Sequence, residues 1–403
     1  MSVQTEIDRI ITAVGAAYDA VEAKGGTAPA AQTIEGLAGA ISGIKSAPAT
    51  PYMEAEYVAV GGLSEKAHYI KRAKLYNHPA IYASEFSWQY RLQNLDFSDA
   101  SNNITVIEEA AFERAQVNGL VLPNTISALH RLCFNGAYIA TLVVPPLVTV
   151  LPEGTFTYVQ QVYNNETGET LPINIILPQN LTKIGNSCFE GALIKQITIP
   201  DTVTEIGDNA FAFCDQLESL TLPPGIQKIS NRMLLGCLSL TSITIPASVT
   251  EIASQAFANS GLTSITIPST VTTLGSNAFY NCASLEHMDI QANVTEIPEG
   301  FAEDSGRTSV MLPDTVETIG NSAFASVLAN LTEITIPASV TSIGDYAFAQ
   351  SEAITTVTCL AVIPPTFGHN ALLSTTIKVP AASVAAYKAA DGWKDYAIYI
   401  VAM

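Results

Sequence analysis

In Leu262-Thr-Ser-Ile-Thr-Ile-Pro268, Ile265 and Ile267 alternate with Ser264 and Thr266. Alternation of period two marks a strand with one face in a core and the other in water. Pro268 lacks the N–H that a ladder needs and ends the strand. Val271, Leu274, Ala278 and Phe279 then return apolar side chains to the same core from the turn that follows. A unit of this size cannot bury such a face alone, but stacked copies can.

Copies are present. The strand phrase recurs as Ile197-Thr-Ile-Pro200, Leu220-Thr-Leu-Pro223, Ile243-Thr-Ile-Pro246 and Ile334-Thr-Ile-Pro337. Weaker versions end at Pro123, Pro145, Pro178 and Pro313, while Ser98, Gln291 and Leu360 stand at the proline slot. The second phrase, of the form VTEIGxxAF, places Phe112, Phe134, Phe156, Phe189, Phe211, Phe257, Phe279, Phe301, Phe324 and Phe348, with Leu234 filling one slot and Phe86 an earlier one. Most intervals are 22 or 23 residues, so about a dozen units cover roughly residues 75–375. At about 4.8 Å per strand they make a solenoid roughly 50 Å long.

The flanks read differently. Ile7, Ile10, Ile11, Val14, Tyr18 and Val21 form one helical stripe, closed by Gly25-Gly26. Thr33 caps a second short helix carrying Ile34, Leu37 and Ile41. The expected organisation is a helical attachment module (1–45), a Pro- and Ala-rich linker (46–51), an N-terminal cap with a degenerate first repeat (52–93), the array (94–376) and a C-terminal cap (377–403). Within the N-terminal cap, a strand is expected near Tyr57–Val60 and a helix over Ser64–Leu75. Tyr387, Trp393 and Tyr396 are expected to close the far end.

Charge narrows the partners. Eighteen Lys and Arg against 37 Asp and Glu give a net charge of −19. Duplex binding needs a basic patch, so nucleic acid is a poor partner. No apolar run is long enough to span a bilayer as a helix. Glu6, Asp8 and Arg9 interrupt the start where a signal peptide would be apolar. No Sec signal is therefore visible in these residues.

The sequence calls for no enzyme chemistry, cofactor or metal. It contains no HExxH, GxSxG, P-loop or EF-hand loop. Its five histidines are scattered, and Cys133, Cys188, Cys214, Cys237, Cys282 and Cys359 form no CxxC pair. Cys133 and Cys188 instead sit beside the Phe slot, and Cys214, Cys237 and Cys282 three residues after it, as small buried residues do. Cys214 and Cys237 fall in consecutive units, which leaves a disulfide between them open.

Two regions are candidate binding surfaces for a protein or a glycan. On the outward strand positions, Thr198, Thr221, Thr244 and Thr266 make the ladder that β-propensity alone would choose. Val121, Val143 and Ile176 break it with an apolar stripe, and His287, Asp289 and Met311 break it again further along. A cap or loop covering Val121–Ile176 is the rival reading of the first stripe. The second region is an insertion: Phe156 and Phe189 are 33 residues apart. The extra residues lie between Tyr158 and Thr170, and solenoid insertions become loops on one face. Tyr158, Tyr163, Asn164, Asn165 and Glu166 are the contact candidates there, against an inert hairpin.

The unit LTSITIPxSVTEIGxxAFxxC resembles the BspA-type, or treponemal-type, leucine-rich repeat, and Ile377–Trp393 is similar to the usual end of such arrays. The resemblance implies a right-handed solenoid with a parallel sheet on its concave side and short turns, irregular or short helical segments opposite. It also implies adhesion and binding at bacterial surfaces, so that the expected location is extracellular, at a cell surface or, if the N-terminal resemblance that follows holds, on a virion. Residues 1–45 resemble N-terminal modules of tail or baseplate proteins from phages of Gram-positive bacteria. That resemblance implies attachment or oligomerisation through residues 1–45, and a structural tail component as the alternative function.

Overall fold

The computed structural model describes residues 51–59, 68–89, 92, 94–100, 102–117, 120–164, 168–307, 309–326, 328–329, 331–372 and 375–403. The chain divides into units 1–52 and 53–403. The expected helical module of residues 1–45 lies outside the described residues.

The second unit is a parallel β-solenoid. Each turn contributes a strand, a proline-ended corner, a two-residue strand and a six-residue turn around the Phe slot. The first ladder holds the Ile-Thr-Ile phrases, as in Ser264–Ile267, His287–Ile290 and Ser309–Met311. These pair in parallel, with Ser264 opposite His287 and Asp289 opposite Met311. Ile265 and Ile267 point into the core while Ser264 and Thr266 are exposed, as alternation dictates. Thirteen of the two-residue strands, from Ala80–Ile81 to Thr366–Phe367, form the second ladder.

The segments opposite the first ladder are not helices. Each six-residue turn carries two left-handed residues four apart, such as Ser187 and Gly191, or Asn277 and Asn281. This geometry points alternate N–H groups at the next turn. Asn277, Phe279 and Asn281 donate to the carbonyls of Glu299, Phe301 and Glu303 at 3.0, 2.8 and 2.8 Å. Backbone groups that a helix would satisfy within itself are thus satisfied between turns.

The Phe side chains stack along the axis. Phe86, Phe112, Phe134, Phe156, Phe189 and Phe211 are fully buried, with successive centroids 5.2–5.4 Å apart and rings within 17° of parallel. Phe301 departs from its expected place. The left-handed pair in its turn is Gly300 and Asp304, which puts Ala302 in the Phe slot and Phe301 in the Ala slot. The ring consequently meets Phe279 and Phe324 edge-on, at 76° and 82°.

Neither ladder runs unbroken. Strands Glu205–Ile206 and Lys228–Ile229 belong to different sheets, and Ser219–Thr221 has no strand partner at residues 242–245. Leu234 replaces the ring there. The two gaps fall at successive junctions, since Ser219–Thr221 still pairs with Gln196–Thr198 and Lys228–Ile229 with Glu251–Ile252. Ala128–Leu129 and Val150–Leu151 also lie in different sheets, and Thr141–Val143 has no strand partner at residues 120–123.

The N-terminal cap corrects one expectation. His68–Tyr76 is a strand, not a helix, flanked by Tyr52–Ala59 and Asn94–Asp96. Ala73 and Leu75 are buried while Arg72 is exposed and Lys74 reaches Asp96 at 4.0 Å, so the alternating period wins. At the other end, a short helix Val384–Ala389 and a 3-10 turn Trp393–Tyr396 bring aromatic tips to loop carbonyls. Tyr387 Oη donates to Ala361 O (2.8 Å), Trp393 Nε1 to Pro365 O (2.8 Å) and Tyr396 Oη to Leu372 O (2.7 Å). Buried aromatic residues with a polar tip need such partners, and here the partners close the last turn.

Candidate functional site

The insertion is a β-hairpin. Val162–Asn164 pairs antiparallel with Glu169–Leu171, placing Tyr163 opposite Thr170. It leaves the repeat beneath undisturbed, since Phe156 and Phe189 still stack at 5.3 Å. Tyr163 is 57% exposed. Asn165 and Glu166 lie outside the described residues, and for Asn164 only the backbone strand is described.

Tyr158 is not part of this hairpin. It is the second left-handed residue of its turn, two after Phe156, and its ring fills the space where Gly191 of the next turn has no side chain. The same relationship joins Phe213 to Gly236, where an added Cβ would lie 2.8 Å from the ring. Tyr158 therefore has a packing reason to be aromatic, although half of it remains exposed.

Beside the hairpin is a groove of about 200 Å3 lined by Gln116, Tyr138, Gln161, Val162 and Tyr163. Its floor is rigid, because the backbones of Gln116, Tyr138 and Gln160 bridge in parallel. Gln161 Nε2 donates to Gln216 Oε1 at 3.2 Å, which orients the Gln161 carboxamide. Gln116 and Tyr138 were not among the sequence candidates. Their signal is positional: both stand four residues after a Phe slot, at a register whose side chains the repeat itself does not require.

The stripe residues fall on the exposed side of the first ladder. Val121, Val143 and Ile176 are 81%, 52% and 46% exposed, so no described segment covers them. Val143 and Ile176 are direct cross-strand neighbours. His287, Asp289 and Met311 are also exposed, and Asp289 accepts from Gln291 Nε2 at 2.7 Å. Turns carrying Thr198, Thr221, Thr244 and Thr266 separate the two patches, so the structure does not join them into one site.

The cysteines are packing residues with a hydrogen-bonding task. All six are buried free thiols, so Cys214 and Cys237 are not bonded to each other. Cys214, Cys237 and Cys282 donate Sγ–H to the carbonyls of Phe189, Phe211 and Phe257 at 3.0, 3.2 and 3.1 Å. Ser305 and Ser351 occupy the same slot and donate to Phe279 O and Phe324 O. Burial pushes the Cys237 thiol up to about 12 and raises the Cys133, Cys188 and Cys214 thiols too, opposite to what a nucleophile needs. A separate acidic patch surrounds Glu303. Partial burial, then Asp304 and Glu299, raise its carboxyl above the usual range.

The chain belongs to the BspA-type leucine-rich repeat family, whose repeat region matches in six copies over residues 79–173, 169–260 and 227–355. The match begins beyond residues 1–45 and does not bear on their resemblance to phage tail modules. Among curated proteins, none matches the chain. The solved structures it is similar to include a leucine-rich repeat protein from Bacteroides ovatus, 20% identical over 87% of this chain and 98% of that one, with a TM-score of 0.45. A leucine-rich cell surface protein from Faecalibacterium prausnitzii is 20% identical over 66% of this chain and 87% of its own, with a TM-score of 0.31. The pneumococcal vaccine antigen PcpA is 16% identical over 81% and 85%, with a TM-score of 0.35. No described helix is long and apolar enough to cross a membrane.

Proposed function

We propose that this protein is a non-enzymatic binding scaffold that presents its solenoid surface to a protein or glycan at a bacterial surface, with residues 1–45 attaching or oligomerising it. The observation that carries this reading is the hairpin. Its residues add nothing to the Phe stack, which continues below at the ordinary spacing, yet they display an exposed tyrosine beside a formed groove. Segments that extend a solenoid surface without supporting its core suit recognition.

The test is binding of the full chain to bacterial and host cells, compared with a variant in which residues 162–171 are replaced by a short Gly-Ser link. The expected result is lost or strongly weakened binding at an unchanged melting temperature. Binding that survives this change, and also survives substitution of Val143 and Ile176 and of His287 and Met311, would sink the reading.

A further inference from the structure

We infer that the groove between Tyr138 and Tyr163 is a subsite for one pyranose ring of an uncharged glycan, with Gln116 and Gln161 as its hydrogen-bonding groups. This rests on the binding-scaffold reading and names the ligand chemistry for it.

The lining selects the ligand class. Among the described residues, no charged side chain lines the groove, although the protein carries a net charge of −19. A site that recognised an anionic sugar or an acidic peptide would need a cation, and none of these lining residues is one. Two phenol rings and two carboxamides remain, around one largely buried valine. The C–H face of a pyranose is apolar and its edge carries hydroxyls in donor and acceptor roles. A tyrosine ring supplies area for that face at little entropic cost. A carboxamide offers both an acceptor oxygen and two N–H donors, which matches a hydroxyl that needs both.

Size and rigidity agree. About 200 Å3 is small beside the roughly 300–1,000 Å3 of an enclosed site for a drug-sized molecule. It suits a single ring, with the rest of a chain running on over the surface. Tyr138 and Gln116 project from bridged backbone, and Gln161 is held by Gln216. Most of the site is therefore ordered before a ligand arrives, which lowers the cost of binding. Tyr163, on the hairpin strand, supplies the second wall.

A peptide fits this groove less well. Extended peptides dock by adding a strand to an open edge, with pockets for alternate side chains. Here the floor backbones are bonded to one another along the three turns: Tyr138 N–H donates to Ala115 O at 2.8 Å and Ile139 N–H to Gln160 O at 2.9 Å.

The experiment uses the full chain on an array of oligosaccharides ending in glucose, galactose, mannose or N-acetylglucosamine, with sialic-acid-terminated versions and immobilised peptides alongside. The expected result is saturable binding to at least one uncharged class. Tyr138→Ala and Tyr163→Ala should each weaken it tenfold or more, Gln116→Ala about fivefold, and Phe213→Ala, a ring outside the groove, less than twofold. Circular dichroism and the melting temperature of each variant separate lost binding from lost folding, and Tyr138→Phe should keep binding within about threefold. Sugar binding untouched by either tyrosine change overturns the assignment, as does binding confined to sialylated glycans or to peptides. Cell binding that depends on the hairpin without any glycan binding overturns the sugar subsite alone, whereas absence of both overturns the scaffold reading as well.

Discussion

The ring of Tyr158 occupies the volume that a side chain on Gly191 would need, one turn further along the solenoid. Gly191 is also left-handed, at a φ of 63°. Gly191→Ala therefore meets two costs: about 1–2 kcal/mol for the left-handed backbone and about 1–3 kcal/mol for displacing the ring. Urea titration should show a loss of about 2–5 kcal/mol, and adding Tyr158→Ala should recover the steric part. A Gly191→Ala protein as stable as wild type would mean that the ring does not sit there.

Phe301 and Ala302 offer a sharper test of slot occupancy. Phe301→Ala leaves a cavity and should cost about 3–5 kcal/mol. The exchanged pair Phe301→Ala with Ala302→Phe conserves volume and returns a ring to the column between Phe279 and Phe324. Its expected cost is within about 1.5 kcal/mol of wild type, with near-parallel rings in a crystal structure. A double variant as unstable as the single one would show that the surroundings have adapted to the edge-on ring.

The slot that holds Cys214, Cys237 and Cys282 calls for a small donor rather than for sulfur. Cys237→Ser keeps a donor to Phe211 O and should change stability by less than about 1 kcal/mol. Cys237→Ala leaves Phe211 O with the Cys214 N–H alone and opens a small void, at a cost of about 1–2 kcal/mol. Thermal unfolding of both variants distinguishes the two. A thiol reagent at neutral pH should label the native protein slowly and all six cysteines quickly once it unfolds, because each thiol is buried.

Glu303 makes stability depend on pH in a direction that follows from its environment. Its carboxyl is raised in the folded protein, so folding favours the protonated form. Its contribution is favourable in acid and is lost as pH rises through the raised value. Screening by water leaves this partly exposed carboxyl an effect of only a few tenths of a kcal/mol, so Glu303→Gln should raise the melting temperature by about half a degree at pH 7 and bring no gain at pH 4. An equal gain at both values would place the cause outside this carboxyl.

The array was legible because burial repeats. Ile at the strand positions and Phe in the turn recur at nearly constant intervals, and tertiary packing honours them. Phe301 was misplaced because an interval of 22 or 23 residues does not fix the slot to one residue; only the left-handed pair does. Ser64–Leu75 read as a helix because its charges and apolar residues are mixed, whereas the neighbouring strand Asn94–Asp96 imposes the alternating period. Tyr158 looked like a contact residue because its reason for being aromatic, Gly191, lies 33 positions away. Tyr138 was overlooked because its groove exists only once the hairpin folds beside it.

The seam beside Leu234 gives the array a mechanical grain. Successive turns hold each other through two ladders and a ring column, and around Leu234 the two ladders are interrupted at successive junctions while the column lacks a ring. The turns there are still joined by the pairing of Gln196–Thr198 with Ser219–Thr221, by the turn bonds from Asn209, Phe211 and Phe213 to the carbonyls of Asn231, Met233 and Leu235, and by side-chain bonds such as Cys237 Sγ–H to Phe211 O. In a quasi-one-dimensional protein, cooperativity passes only between nearest neighbours. Under a pulling load the array is therefore expected to part first where ladder bonds are missing, turn by turn rather than all at once, and the hairpin lies on the N-terminal side of the gaps around Leu234.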